Sequence, residues 1–230
     1  MQGTIINSVA IILGGLLGWL AGGLFGSRLR ETLLAVLGLV VLILGVEMSL
    51  QWHDPLMVII AVVLGAVIGE RLGIERWLEG VGENIQRRLG AMVRGNLAQG
   101  FVFASLIYCV GPMAVLGALQ SGVDGEHQIL IAKAAIDGLT AIAFASTLGL
   151  GVMFSSLSVL LYQGALTLLS QGLAGFLATM DAAVPQLTAT GGILILGIGL
   201  KILDIKQIRV ANVLPALPII ILLTYFQSVW

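Results

Sequence analysis

Of 230 residues, 58% are hydrophobic and only 10% are charged, with a mean hydropathy of +1.07. Soluble domains carry roughly 25% charged residues, so this composition excludes a water-soluble globular protein and points to an all-α polytopic membrane bundle. The net charge of -1 carries no information about partners, and the single Cys109 cannot close an internal disulfide.

The amino terminus, MQGTIINSVAIILGG, has no positive n-region and no small-residue cleavage pattern, so it reads as a first span and not as a signal peptide. A span needs about 20 mostly apolar residues. Charges, glycines and prolines divide the chain into about eight such stretches, at 4–24, 31–50, 55–70, 100–120, 129–152, 156–177, 187–204 and 210–228. The fourth contains Gly111 and Pro112, which predict a kink or break near mid-membrane, level with Cys109. The eighth carries Pro215 and Pro218, for which a simple kink is expected.

Basic residues concentrate in cytoplasmic loops. With eight spans, Arg28, Arg30, Arg71, Arg76, Arg87, Arg88, Arg94, Lys201, Lys206 and Arg209 share one side, leaving Lys133 as the exception among 11 basic residues. The opposite loops, QWHDP, SGVDGEHQ and DAAVPQ, are acidic or neutral, which places both termini outside and residues 71–98 in the cytoplasm. In that long loop Ile74, Trp77, Leu78, Val81, Ile85, Leu89 and Met92 fall on one helical face, as in an amphipathic helix lying on the membrane surface.

The segment SVAIILGGLLGWLAGG aligns with SVLLYQGALTLLSQGL, matching Ser8 with Ser158, Gly14 with Gly164 and Gly22 with Gly172. A second alignment matches Gly38 with Gly192, Leu42 with Leu196 and Gly45 with Gly199. Within a single membrane domain, residues 4–70 and 156–228 would form three-helix repeats around central spans 100–152. The repeats begin five spans apart, so they would be inverted, an arrangement that suits alternating access in secondary transport. Glu47 and its counterpart Lys201 lie near span ends, where such charges can snorkel.

Lys133 and Asp137 stand one helical turn apart in the fifth span. At 1.5 Å per residue, Asp137 lies roughly 13 Å below the boundary near Gln128, too deep to reach water. An Asp there costs on the order of 2.5 to 3.5 kcal/mol on insertion scales, so a partner is required. Lys133 and Asp137 either neutralise one another within the bundle or form a solute, cation or proton site. Thr140 extends their stripe, Cys109, Gly111 and Pro112 share its depth, Gln163 is the best of the remaining polar candidates by depth, and Asn7 is another amide of the kind that glues helices together. Ser8, Ser105, Tyr108, Ser146, Thr147 and Thr167 each suit helix packing or back-bonding. The ladders Gly14, Gly18, Gly22 and Ala61, Gly65, Gly69 read as close packing, within the chain or in a homodimer.

Enzyme chemistry is not expected. The sequence has no HExxH, places His53 and His127 in outer loops, and puts one Asp near the midplane. Neither a cofactor nor a metal site nor nucleic-acid binding is expected; a coupling proton or sodium ion is the exception left open. The expected partners are the bilayer and a small solute or ion. The function that follows is passive or ion-coupled transport, with a channel or a non-transporting scaffold as rivals.

GTIINSVAIILGGLLG at 3–18, FASLIYCVGPMAVLGALQSG at 103–122, KAAIDGLTAIAFASTLGLGV at 133–152 and the following YQGALTLL resemble the bacterial membrane-protein family labelled domain of unknown function 554. The resemblance implies a polytopic inner-membrane protein, sometimes called a putative transport protein, with about seven spans. It transfers no catalytic residue.

Overall fold

A computed structural model describes residues 1–89, 97–110, 112–123, 125–169 and 174–229. Gly111, Met92, Arg94 and Gly172, named above, lie outside the described residues. The order is α1 (Gln2–Gly22), α2 (Ser27–Ser49), α3 (Pro55–Leu72), α4 (Ile74–Leu89), α5 (Leu97–Cys109), α6 (Pro112–Val123), α7 (Gln128–Leu148), α8 (Gly151–Leu169), α9 (Ala174–Ile202), a 3-10 turn (Val210–Val213) and α10 (Ala216–Val229). Two compact units divide the chain, one of residues 1–34 and 81–173, the other of residues 35–80 and 174–230.

In the first unit, α1 runs parallel to α7 at nearly backbone contact. A Cβ at Gly14, Gly18 or Gly22 would collide with the carbonyl oxygens of Gly138, Ile142 and Ser146 respectively. Small residues permit this approach, which a larger side chain would prevent. Helix α8 runs antiparallel to α1, with Gly15 against Met153 and Gly164 against Met1. It runs parallel to α5, with Gly151 against Leu97 and the Ser105 hydroxyl 2.9 Å from that of Ser158. The first small-residue ladder is therefore consumed inside the chain and is not a face free for a second copy.

Among the described residues, seven helices, or parts of helices, are long and apolar enough to cross a membrane. The expected fourth span is instead the pair α5 and α6, bent by 70°. Its 13 and 12 residues are each too short to cross about 30 Å at 1.5 Å per residue. The start of α5 lies at the carboxyl end of α7, where a Cβ on Gly100 would sit 3.2 Å from the Leu148 oxygen. The end of α6 lies at the amino end of α7, with Gly117 against Leu130 and the Ser121 hydroxyl 2.8 Å from His127 Nδ1. The bent pair thus runs alongside α7 from one end to the other, and it counts as an eighth candidate span when its two halves are taken as one.

The second unit is built around α9, whose apolar window Ala183–Ile202 is far more buried than those of its neighbours. DAAVPQ is not a loop, because α9 begins at Ala174 and continues through Pro185. A proline removes one helical donor, and neighbouring helices in a bundle accommodate that loss. Helix α2 packs antiparallel on α9, with Gly45 against Leu196, Gly199 against Leu42, Gly38 against Leu203 and Gly192 against Ser49. The second ladder is also used internally: Gly65 meets Ala216, and Gly69 meets the Asn212 carbonyl.

Helix α3 has explicit signals at both ends. The Asp54 side chain accepts from Leu56 N at 3.0 Å, Pro55 occupies the first position, and Gly73 closes the helix at φ 65°. No mid-helix kink forms at Pro215 and Pro218. They fall just before and within the first turn of α10, where missing amide donors cost nothing.

A polar lock joins the start of α4 to the turn before α10. Glu75, 8% exposed, accepts from Lys201 Nζ at 2.7 Å and from Ala211 N at 2.7 Å. Its own amide donates to Asn212 Oδ1 at 2.7 Å, and Asn212 Nδ2 donates to Glu70 at 2.6 Å. Arg209 also pairs with Glu70. Lys201 is therefore held by Glu75 and does not simply snorkel, while Glu47 is exposed.

Gly18→Leu should cost more than the roughly 1–3 kcal/mol typical of overpacking, because backbone and not a movable side chain blocks it. Gly80→Ala, with nothing within 4 Å, should be neutral or gain up to about 1 kcal/mol. Thermal unfolding of the purified protein in detergent compares the two. In the same assay Glu75→Ala should cost about 2–3 kcal/mol by leaving Lys201 unpaired, and Glu75→Ala combined with Lys201→Met should recover much of it.

Candidate functional site

Asp137 is near the middle of α7, on the stripe with Lys133 that a four-residue step creates. Both side chains are 7% exposed, and Lys133 donates to Asp137 Oδ2. Two features bring α1 to them. Gly138, next in sequence to Asp137, leaves room for Ala10, and the Gly14 ladder seats α1 on α7. Asn7 Nδ2 then donates to the same Asp137 oxygen at 3.0 Å and lies 3.4 Å from Gln163 Oε1 on α8. Asn7 and Gln163 are both fully buried. The structure thus joins four of the sequence-derived candidates, Asp137, Lys133, Asn7 and Gln163, from three helices.

Tyr108 on α5 forms another wall. The Lys133 ammonium lies 5.7 Å from its ring centroid, within cation–π range, and Thr140 Oγ1 is 3.4 Å from its hydroxyl. Thr140 also bonds back to the Ile136 carbonyl at 2.9 Å, so its contribution is to α7 as much as to the cluster. Cys109 is half-buried at the end of α5, at the break, and has no part in the hydrogen bonds described for the cluster. Pro112 opens α6, where its missing donor would be unpaired anyway.

The cluster is not closed. Asn7 Oδ1, Gln163 Nε2, Thr4 Oγ1 and Ser8 Oγ are buried without a hydrogen-bond partner. Each unmet group costs about 1–3 kcal/mol, so their concentration on α1 and α8 demands an explanation. Thr4 was not singled out by the sequence, although its spacing of three and four residues to Asn7 and Ser8 is a readable signal. The described residues contain no group of three or more His, Cys, Asp or Glu side chains able to hold a metal.

Fold and site together define a multi-pass membrane protein with a buried ion pair inside a polar cluster. Residues 2–225 match the family described as "Protein of unknown function (DUF554)", and the chain belongs to that family. It is similar to the "Uncharacterized membrane protein YdfK" of Bacillus subtilis, 29% identical over 221 residues that cover 94% of this chain and 93% of that protein. It is also similar to the "Uncharacterized protein YqgA" of Escherichia coli, 31% identical over 232 residues covering 99% and 98%. No solved structure gives a significant match.

Removing one member of the ion pair leaves the other charge buried. Asp137→Leu should cost about 3–5 kcal/mol, and Asp137→Leu with Lys133→Met should regain most of that loss. A double-mutant cycle read by thermal unfolding in detergent measures the coupling.

Proposed function

We propose that this protein is a secondary transporter that moves a small solute across the bacterial inner membrane. The observation that carries this reading is the buried cluster of Asp137, Lys133, Asn7 and Gln163, with unmet hydrogen-bonding groups, beside the bend between α5 and α6. Ionisable side chains within a membrane bundle are rare and mark pathways and sites. Broken helices are tolerated at such depth where protein or a wet cavity satisfies the freed backbone groups, as at transporter binding sites.

The two internal sequence alignments, read as inverted repeats, favour the same function. The matched residues of α2 and α9 meet reciprocally: Gly45 faces Leu196, while their counterparts Gly199 and Leu42 face each other. The outer helices α1 and α8 each run parallel to one central helix, α7 and α5 respectively. Counterpart helices fall in the same unit, α1 with α8 and the larger part of α2 and α3 with α9 and α10. On this reading each unit holds helices from both repeats.

With eight alternating passes, ten of the 11 basic residues would share one side, which the positive-inside rule makes cytoplasmic. Both termini then face outward. Lys133 occupies the position on Asp137 that a coupling cation would take, so cation coupling requires that contact to open.

The test is the thermal stability of wild type and Asp137→Asn across sodium, pH and a panel of small metabolites. A solute that binds the folded state at 100 times its Kd adds about 2.7 kcal/mol. A solute-dependent gain in wild type that is lost in Asp137→Asn is expected. Uniform behaviour of both proteins across the panel would favour a non-transporting scaffold.

A further inference from the structure

Resting on that transport reading, we infer that the solute is a small uncharged molecule rich in both hydrogen-bond donors and acceptors, such as a polyol or a carboxamide. The unmet atoms supply the argument. Thr4, Asn7 and Ser8 share one face of α1 at spacings of three and four residues, and Gln163 meets that face from α8. All four side chains are buried, at 0%, 0%, 6% and 0% exposure. Their unmet atoms are an amide oxygen, which only accepts, an amide nitrogen, which only donates, and two hydroxyls, which do either. A guest that satisfies all four must itself present donors and acceptors within a few ångströms. Polyols and carboxamides do so, whereas a bare metal cation offers no donor and a simple halide no donor either.

Charge makes the same selection. Lys133 and Asp137 are the charged side chains that the described residues place in this cluster, and each already neutralises the other. An ionic solute would enter without a free counter-charge and would bear an uncompensated desolvation penalty. A neutral solute needs only the hydrogen bonds that are already unmet. From Thr4 to Ser8 the strip runs about 6 Å along α1, the length of a three- or four-carbon molecule. It lies in the first two turns of α1, where Asn7 reaches Asp137.

The hydroxyls provide a test that separates binding from folding. Replacing an unpartnered buried hydroxyl by an apolar group of the same shape is neutral or stabilising. Thr4→Val and Ser8→Ala should therefore leave unfolding temperature unchanged or raised. The transport readout is stopped-flow re-swelling of proteoliposomes after a hyperosmotic step with erythritol, malonamide, glycine, potassium glutamate or lysine chloride. Erythritol and malonamide should re-swell wild-type vesicles at least fivefold faster than protein-free vesicles, and the charged solutes and glycine should not.

Combining Thr4→Val with Ser8→Ala should reduce the erythritol rate at least fivefold in a protein of undiminished stability. Re-swelling by glycine, glutamate or lysine but not by the uncharged solutes would overturn this inference and leave transport standing. No acceleration by any solute would overturn both. An unchanged erythritol rate in the double variant would remove the strip from the pathway.

Discussion

Helix α1 lies against α7 with almost no side chain between them, and the buried cluster depends on that contact. Glycine at 14, 18 and 22 lets one helix rest on the carbonyl oxygens of the other. With the helices in contact, Asn7 donates to the carboxylate and presents its own oxygen to the interior. Apolar packing, carried by residues with no chemistry of their own, thus positions the polar groups.

The two units treat polar groups in opposite ways. In the second, Glu70, Glu75, Lys201, Arg209 and Asn212 form a connected network in which Glu75 uses both carboxylate oxygens and its own amide. Such a network rigidifies the turn before α10 and ties it to α4. In the first unit, Asp137 is satisfied by Lys133 and Asn7, yet the surrounding amides and hydroxyls are not. A membrane interior cannot supply the missing bonds from bulk water. That contrast distinguishes a closed network from one that still has hydrogen bonds to make.

The division into units also cuts across the order of the chain. Helices separated by about 150 residues pack side by side, as α1 does with α8 and α2 does with α9. Both pairs are antiparallel. The pairing of α2 with α9 places Gly and Leu opposite one another at successive levels, so each leucine fills the space left by a glycine across the interface.

Composition alone determined that the chain is a membrane bundle, because no soluble fold could hide so much apolar surface. Helical spacing placed Lys133 beside Asp137, and an Asp at that depth announced that a partner was needed. Its further partners were not legible. Nothing local in Asn7 states that it meets Asp137 and Gln163, since contacts between residues 130 and 156 positions apart depend on helix packing. Prolines were legible as interruptions but not as kinds of interruption: Pro112 accompanies a 70° bend, Pro185 is absorbed within α9, and Pro215 and Pro218 begin α10. The glycine ladders announced close packing, and only tertiary structure decided that the neighbours are helices of the same chain. The physical reason is common to all three: a residue's type sets what it can tolerate or demand, while its partner is set by which helices the whole chain brings together.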